Sequence, residues 1–404
     1  MGRSNNFNIF VFFFVLSSVY ISSIKALTKV IDIRSHGAVA SPTKDCAPAM
    51  LNAFKEACAL TSPSIILIPI GEFYVKQVMF QGPCKAPIGI NLQGTIIAPA
   101  DPSQIDAKND WFTVRYLDNL SIFGGGSMDG QGKRSWDLKA QKQDIKLSAL
   151  FSMYFVTNGD IRDIKFEQAK NTHVHLYGCK RITMTRVTVD SPDESPNTDG
   201  IKMGLTSDIT IQDSTLKSGD DCVAIVRGTQ RLKVTRTTCG PGHGISVGSM
   251  GMVENEEEIS DIRVTNCTLT GTDNGVRLKS WKDCPKAVAT NIHFEDIIMK
   301  NVSNPIIIDQ EYCPAGGCEA KAPSRVKISK VAFKNIKGTS RTKVAVKLIC
   351  SKREPCRDVE IGNIHLTYNG PDGEAISTCS NITPQFTGQQ IPPICASSGG
   401  KGQR

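Results

Sequence analysis

A short pattern of alternating apolar and polar residues recurs along this chain from Ile161 onward. Its copies start 21 to 34 residues apart, at Ile161, Ile182, Ile209, Leu232, Ile262, Ile292, Val326 and Val359. Alternation with a period of two, built on β-branched residues, is typical of strands with one buried face. Because no helical pattern lies between the copies, this spacing indicates the turns of a solenoid of strands.

The repeat predicts an all-β fold, namely a single-stranded, right-handed parallel β-helix. In such a solenoid each turn stacks on the next at about 4.8 Å, and the backbone hydrogen bonds run between turns. A β-sandwich or a propeller would instead require tight hairpin signals every 8–12 residues or so. Those signals are scarce in this sequence, which favours the β-helix.

A short N-terminal helix is expected to cap the open end of the solenoid, over residues 45–58. Asp45 can act as its N-cap, and Pro48 falls in the first turn. Three apolar residues share one predicted helical face: Leu51, Phe54 and Cys58. A cap of this kind covers the apolar core that the first turn would otherwise expose.

Residues 1–26 have the features of a secretory signal peptide. Arg3 precedes an apolar run from Phe7 to Tyr20, and Ala26 is a plausible cleavage site. The run is too short to span a bilayer, although an uncleaved anchor is the alternative. We therefore predict a secreted, monomeric protein without membrane attachment, in which residues 27–404 form one domain.

The net charge favours an acidic partner over a nucleic acid. It is +8 for the whole chain, and loss of Arg3 and Lys25 with the signal peptide lowers it to +6. A positive balance suits an acidic polymer, or it serves ordinary solubility. Aromatic and basic residues are not interleaved as a nucleic-acid platform requires.

All 14 cysteines follow the signal peptide, and an oxidising compartment predicts disulfides among them. The pairing stays open, although two pairs are close enough in sequence to close small loops, Cys350 with Cys356 and Cys313 with Cys318. A bond between Cys222 and Cys239 would link successive turns. A zinc site is a weaker alternative because the chain contains no CxxC pair. Glycosylation sequons occur at Asn119, Asn266, Asn301 and Asn381.

Four polar clusters follow one another in the middle of the chain: Asn197-Thr198-Asp199-Gly200, Gly219-Asp220-Asp221, Gly242-His243-Gly244 and Arg277-Leu278-Lys279. From Asp199 to Asp220, His243 and Arg277 the intervals are 21, 23 and 34 residues. These intervals match single turns of the predicted solenoid, so the clusters should lie on one patch. Such a patch would combine acids, an imidazole and two cations, as acid/base chemistry on an anionic substrate requires.

The carboxylates predict glycosidic cleavage. Asp220 and Asp221 are adjacent and would both face outward only if the chain bends, which Gly219 permits. Asp199 should lie about 5 Å away on the preceding turn. Crowded like charges raise at least one pKa, and a protonated acid beside an ionised neighbour is what glycoside hydrolysis needs. Backbone capping or calcium binding is the alternative for an isolated Asp pair.

His243 and the two cations complete the predicted site. His243 lies between glycines, including Gly244, which allow a sugar ring to approach, and its imidazole can tune or orient the acid. Arg277 and Lys279 are two residues apart and would face the same side of a strand. Arginine can bind a carboxylate with two hydrogen bonds, and lysine adds a point charge. A solvated surface pair is the plainer alternative.

Taken in order, the four clusters resemble the signature of the polygalacturonases, the family 28 glycoside hydrolases. Cys239-Gly-Pro-Gly-His-Gly-Ile-Ser-Val-Gly-Ser249 is similar to the plant pollen-type exopolygalacturonases. The resemblance implies that Asp220 is the general acid, that Asp199 and Asp221 act on water with inversion, and that His243 supports the acid. It further implies five galacturonate-binding residues: Asn197, Gly244, Arg277, Lys279 and Tyr312. It also implies three disulfides: Cys222–Cys239, Cys350–Cys356 and Cys379–Cys395.

The resemblance implies hydrolysis of α-1,4 bonds in pectin, preferably from the chain end, in the plant cell wall or apoplast. It implies no cofactor and no metal. An endo-acting polygalacturonase is the first alternative. A pectate lyase would share the β-helix but would need calcium, and a non-catalytic pectin-binding solenoid would not need the acidic residues.

Overall fold

A computed structural model describes residues 28–106, 108–141, 144–314, 318 and 322–395. The predicted signal peptide lies outside these residues. Within them the chain forms 32 strands, two α-helices and two short 3₁₀ helices. The helices span Ala47–Ala59 (α1), Lys133–Ala140 (α2), Ile33–His36 and Pro102–Gln104.

The strands, numbered β1 to β32 in chain order, stack in parallel as three series. The first series is β1 Lys29–Asp32, β2 Ser64–Ile68, β5 Ile88–Leu92, β8 Asp118–Phe123, β11 Thr157–Arg162, β14 Lys180–Thr185, β17 Ser207–Gln212, β20 Gln230–Thr235, β23 Ile259–Thr265, β26 Ala287–Val302, β28 Val326–Ser340, β30 Arg357–Tyr368 and β32 Gln385–Ile391. All pairings along it are parallel, so this series forms one face of a solenoid.

The second series consists of short strands that follow those of the first. It is β3 Glu72–Tyr74, β6 Thr95–Ile97, β9 Ser127–Asp129, β12 Lys165–Glu167, β15 Thr188–Asp190, β18 Thr215–Lys217, β21 Thr238–Cys239 and β24 Thr268–Thr270. β24 pairs with the second half of β26, so the two series merge into one sheet of 21 strands.

The third series forms a separate parallel sheet of 11 strands. It is β4 Val78–Gln81, β7 Phe112–Arg115, β10 Phe151–Tyr154, β13 Val174–Tyr177, β16 Ile201–Gly204, β19 Val223–Ile225, β22 Ile245–Met250, β25 Asn274–Trp281, β27 Asn304–Tyr312, β29 Val344–Ile349 and β31 Ile376–Ser380. One turn therefore crosses all three series before the chain returns to the first, which confirms the predicted parallel β-helix.

The core is a set of columns in which each turn places an apolar side chain above that of the turn before. One column contains register partners that are almost fully buried: Ile182, Ile209, Leu232, Ile262 and Ile292. In a parallel column Phe294 stacks on Phe333, with ring centroids 5.4 Å apart. These inward residues are the apolar members of the sequence repeat.

Helix α1 covers the first turns as expected, but with a different buried face. Phe54 is buried and stacks on Phe80, with ring centroids 4.4 Å apart. Leu51 is 38% exposed, and Met50 is fully buried in its place. The prediction for Leu51 was wrong because the helix packs through Ala47, Met50, Phe54 and Ala57, a stripe one residue away. The prediction of Asp45 as the N-cap was also wrong, because the helix begins at Ala47 and its N-cap is Cys46. Asp45 lies one residue earlier, and its carboxylate accepts the backbone N–H of Ala47 at 3.0 Å.

Ten cysteines form five disulfides: Cys58–Cys84, Cys222–Cys239, Cys313–Cys318, Cys350–Cys356 and Cys379–Cys395. The three pairs implied by the family resemblance are among them. The other four cysteines are buried and unpaired, at positions 46, 179, 267 and 284. No helix among the described residues is long and apolar enough to cross a membrane. All four sequon asparagines are exposed.

Replacement of Phe294 by alanine should destabilise the solenoid by about 3–5 kcal/mol, because it removes a buried ring and leaves a cavity beside Phe333. Chemical denaturation followed by fluorescence would measure the change. Ile298→Ala on the same strand is the matched control, since Ile298 is 39% exposed. Equal losses in the two variants would contradict the assignment of Phe294 to the core.

Candidate active site

The candidate active site lies where successive turns enter the 11-stranded sheet. Ile201, Val223, Ile245 and Val276 are register neighbours on β16, β19, β22 and β25. The residues that precede these four positions therefore lie side by side on successive turns. The same is true of the outward-facing residues that follow them. This places all four sequence clusters on one face of the solenoid, as predicted.

Asp220 and Asp221 lie on the bend between β18 and β19 rather than within a strand. The Asp220 side chain is 20% exposed, whereas that of Asp221 is only 4% exposed. Gly219 permits this bend through close packing, because a Cβ atom there would meet the Ser195 carbonyl oxygen at 1.9 Å. The disulfide Cys222–Cys239 ties the end of the bend to the next turn.

Asp221 is held by three donors from the two following turns. Its Oδ1 accepts hydrogen bonds from Ser246 Oγ at 2.6 Å and Arg277 Nη2 at 2.8 Å. Its Oδ2 accepts one from Lys279 Nζ, also at 2.8 Å. Arg277 and Lys279 are only 8% and 6% exposed. One buried anion therefore faces two buried cations, which leaves this group with a surplus positive charge.

Asp220 is paired with His243. Its Oδ1 accepts from His243 Nδ1 at 3.0 Å and from the backbone N–H of Asp221 at 2.8 Å. Its Oδ2 accepts from Asn197 Nδ2 at 3.3 Å. On the other side of the imidazole, Nε2 lies 3.7 Å from a carboxylate oxygen of Asp273. The imidazole thus lies between two acids.

Asp199 is buried beside Asp220 and has its own cation. Its Oδ2 accepts from Lys202 Nζ at 3.1 Å and from Thr172 Oγ1 at 3.3 Å. Its backbone carbonyl oxygen lies 3.0 Å from Nδ1 of the buried His173. Within the described residues Oδ1 of Asp199 makes no hydrogen bond. That oxygen can therefore still accept one.

The crowded carboxylates differ in pKa. Burial raises the pKa of Asp199 to about 6; the negative charges of Asp220 and Asp221 add to the rise, and Lys202 opposes it. Burial alone would also raise the pKa of Asp220, but the hydrogen bond and charge of His243 outweigh it and lower the pKa to about 2. The same hydrogen bond raises the pKa of His243. The predicted rise in pKa therefore occurs at Asp199. In the Asp220–His243 pair the proton is on the imidazole.

A cleft of about 650 Å³ opens above these groups. Asn197, Asp199, Asp220, Asp221 and Lys279 line it, as does Tyr312. The Tyr312 ring lies over both buried cations, 5.8 Å from the Arg277 guanidinium carbon and 5.3 Å from Lys279 Nζ. It also meets the Trp281 ring at 5.0 Å. The cleft therefore joins the acids, the cations and an aromatic wall.

Three predicted site residues are not among those that line this cleft: His243, Gly244 and Arg277. His243 and Arg277 adjoin it, because they are bonded to two residues that do line it, Asp220 and Asp221. Gly244 has a different explanation from the one expected. Its φ is +83°, and a Cβ atom there would meet the Asn274 carbonyl oxygen at 2.0 Å. The residue allows the next turn to pack closely, which is sufficient reason for glycine without a sugar contact.

The sequence reasoning missed Lys202 and Ser246. Both occupy the outward position between two buried apolar residues, in Ile201-Lys202-Met203 and Ile245-Ser246-Val247. Arg277 has the same environment in Val276-Arg277-Leu278, and the three share one register column. The alternation that identified Arg277 could therefore have identified the other two.

A metal ion fits this site poorly, although Asp220, Asp221 and His243 bring ligand atoms within 4.8 Å of one another. Both oxygens of Asp221 are already bonded to cations or a hydroxyl group. The imidazole nitrogen nearest Asp220 is engaged as well. A divalent cation would have to displace these contacts beside Arg277 and Lys279, against their charge.

The family model of the glycosyl hydrolases family 28 matches residues 58–390. The chain belongs to this family. Its similarity to a polygalacturonase of Nicotiana tabacum is 48% identity over 371 residues, covering 92% of this chain and 93% of that protein. An exopolygalacturonase of Oenothera organensis is also 48% identical, over 361 residues, covering 88% of this chain and 99% of that protein. The resemblance drawn from the four clusters is thereby confirmed.

The structural comparison supports the fold of this family member. The endo-xylogalacturonan hydrolase of Aspergillus tubingensis superposes with a TM-score of 0.77 over 89% of this chain and all of that one, at 22% identity. At that identity the likeness concerns the fold alone. Together with the family membership, the acid cluster identifies the protein as a glycoside hydrolase.

Ser246→Ala should lower kcat/KM of the hydrolase by about tenfold, because a hydrogen bond to a charged group contributes about 1.5–3 kcal/mol and Ser246 donates to Asp221. Steady-state kinetics on its glycan substrate would measure the loss. Ser121→Ala, on an outward position of β8 remote from the cleft, should leave turnover unchanged. An unaltered rate in Ser246→Ala would show that Arg277 and Lys279 suffice to place Asp221.

Proposed function

We propose that the protein hydrolyses the α-1,4-glycosidic bonds of polygalacturonic acid, the acidic polymer of pectin, from the chain end. The observation that carries this proposal is the surplus positive charge of Asp221, Arg277 and Lys279 at the floor of a cleft lined by two further acids. A neutral polysaccharide would gain no charge attraction from these two cations, whereas an anionic one would. The relatives named polygalacturonase and exopolygalacturonase support the same substrate.

Asp220 is the proposed general acid. Of the three carboxylates it is the most exposed, with 20% of its side chain accessible against 8% for Asp199 and 4% for Asp221. It can therefore reach the oxygen of the leaving sugar. In the free site the pair keeps its proton on His243, 3.0 Å away, so the imidazole serves as the proton's store and Asp220 as its route to the bond.

Asp199 and Asp221 are the proposed partners of the attacking water. Asp199 has one carboxylate oxygen without a hydrogen bond in the described chain, which can accept a proton from water. Within the described part of the chain Asp221 Oδ2 accepts a hydrogen bond only from Lys279, and a carboxylate oxygen has room for a second. Water held between these acids would attack opposite the leaving group and invert the anomeric centre. NMR of the first product should show the β-anomer, and the α-anomer would contradict inversion.

Arg277 and Lys279 are the proposed binders of a substrate carboxylate. Asp221 uses only part of their donor capacity, since a guanidinium has five N–H groups and an ammonium three. Tyr312 covers them on one side, and Asn197 lies at the cleft beside Asp220. A galacturonate unit could thus contact the cations, the tyrosine ring and the amide together.

The shape of the cleft supports action at a chain end. The turn after β22 runs from residue 251 to 258, and the turn after β16 has only two residues. Glu256 anchors the long turn, because its Oε2 accepts the backbone N–H groups of Gly251 and Met252 at 3.0 and 2.8 Å. With Trp281 and Tyr312 this turn bounds the cleft. Release of monomer alone early in digestion would support exo action, and a ladder of oligomers would indicate the endo-acting alternative.

The proposed setting is the plant cell wall. The N-terminal signal predicted from the sequence, the five disulfides and the plant origin of both relatives support secretion to that compartment. A monomer would suffice, because the whole candidate site comes from one chain.

Asp220→Asn should lower kcat on polygalacturonate by about 10²–10⁴-fold, the range expected when a general acid is lost, and should retain binding. Reducing-end release measures turnover, and a pull-down on insoluble polygalacturonate measures binding. Asp208→Asn is the matched control, because Asp208 pairs with Arg231 on the 21-stranded sheet. Unchanged turnover in Asp220→Asn would refute the assignment.

The same assay separates the other two candidate functions. Ultraviolet absorbance from unsaturated products, or loss of activity with a calcium chelator, would indicate a lyase. Binding of polygalacturonate by the wild type without any release of reducing ends would indicate a non-catalytic solenoid.

His243→Asn should move the alkaline limb of the pH–rate profile to lower pH. In the wild type the proton of the pair is held by an imidazole whose pKa is raised, so activity is expected to fall only when the pH rises through that value. In the variant the proton must reside on a carboxyl group, whose ordinary pKa is lower by more than two units. An alkaline limb that stays in place would contradict proton storage on His243.

A further inference from the structure

Lys202 stands at the opposite end of the acid cluster from Arg277 and Lys279. It shares a register column with Arg277, separated by Ala224 and Ser246. Three steps between parallel strands correspond to about 14 Å between the Cα atoms of Lys202 and Arg277. The three catalytic carboxylates therefore lie between two poles of positive charge.

The two poles differ in how far their cations are already buried and bonded to the acids. The Lys279 side chain is 7% exposed and bonded to Asp221, whereas the Lys202 side chain is 40% exposed and lines the cleft. Among the residues that the structure describes, Lys202 Nζ makes one hydrogen bond to a side chain, at 3.1 Å to Asp199. An ammonium group has three N–H donors, so Lys202 can bind a ligand without releasing Asp199.

We propose that Lys202 binds the carboxylate of a second sugar unit, on the other side of the cleaved bond from the unit held by Arg277 and Lys279. This inference rests on the proposed function, and it makes Lys202 a determinant of specificity. The enzyme would then require free carboxylates on both units that flank the bond.

Charge explains why such a cation is needed at this end. A second galacturonate placed here brings an anion toward Asp199 and Asp220, which repel it. Lys202 lines the cleft and is bonded to Asp199. Its neighbour in the column, Ala224, has a small side chain and leaves space above the sheet. An ammonium shared between Asp199 and the substrate offsets the repulsion. A methyl-esterified unit would forgo that contact.

The two mono-methyl esters of digalacturonate provide the test, since each blocks one carboxylate beside the single bond. In the wild type each ester should raise KM. In Lys202→Met, KM for unesterified digalacturonate should rise about tenfold, the loss of one charge-assisted hydrogen bond. In this variant the methyl ester on the sugar unit that Lys202 binds should raise KM no further. The ester on the other unit should still raise KM. Lys202→Arg should stay within about threefold of the wild type.

Lys233→Met is the matched control, because Lys233 is exposed on β20 of the other sheet. If Lys202 acted only through Asp199, both ester penalties would persist in Lys202→Met. Loss of the positive charge would raise the pKa of Asp199, so the acid limb would move to higher pH while KM stayed constant. That result overturns the inference and leaves the proposed function standing. A wild type that releases no reducing ends from polygalacturonate would instead defeat both.

Discussion

Parallel pairing between successive turns is the constraint on which the site depends. The backbone hydrogen bonds hold Ile201, Val223, Ile245 and Val276 in one register column. Residues 56 and 58 positions apart in sequence, Arg277 and Lys279 from Asp221, therefore come within hydrogen-bond distance. A slip of one residue in any turn would turn its outward side chains into the core, so the apolar columns that stabilise the solenoid also align the chemistry.

Desolvated charges can persist on this face only when each one contacts a partner of opposite charge. Removing one partner of a buried ion pair costs about 3–5 kcal/mol, because the other charge is left uncompensated. Asp221 contacts two cations at once. Asp199 and Asp220 are each bonded to one basic side chain, Lys202 and His243 respectively. The sequence suggested a column divided into acids for cleavage and cations for binding. The contacts show instead that the cations also position the acids.

The repeat made the relative positions of Asp199, Asp220, Asp221 and His243 predictable, because stacking depends on backbone periodicity alone. Other features depend on side-chain packing that periodicity does not contain. Periodicity could not show that Asp199 is the carboxyl with the raised pKa. The three acids look alike in sequence, and the pKa depends on how deeply each one is buried. Helix α1 buries Met50 rather than Leu51 because the angle at which the helix packs on the first turns decides which of its faces is buried. Lys202 went unnoticed because an isolated lysine on a strand has no motif, although its alternation with apolar neighbours marked it as outward.

The proton shared by Asp220 and His243 connects the charges of the site to the proposed reaction. In the free site Asp220 is ionised by its contact with His243 and by the charge of Lys279, which together lower its pKa to about 2. In the proposed reaction a galacturonate carboxylate bound to Lys279 would offset one of these charges and exclude water from the cleft. Both effects favour the neutral form of Asp220, so the proton can pass from His243 to the acid when a substrate anion is present. A neutral sugar would leave the charge of Lys279 in force, and the cations would then select the substrate through the chemistry as well as through binding.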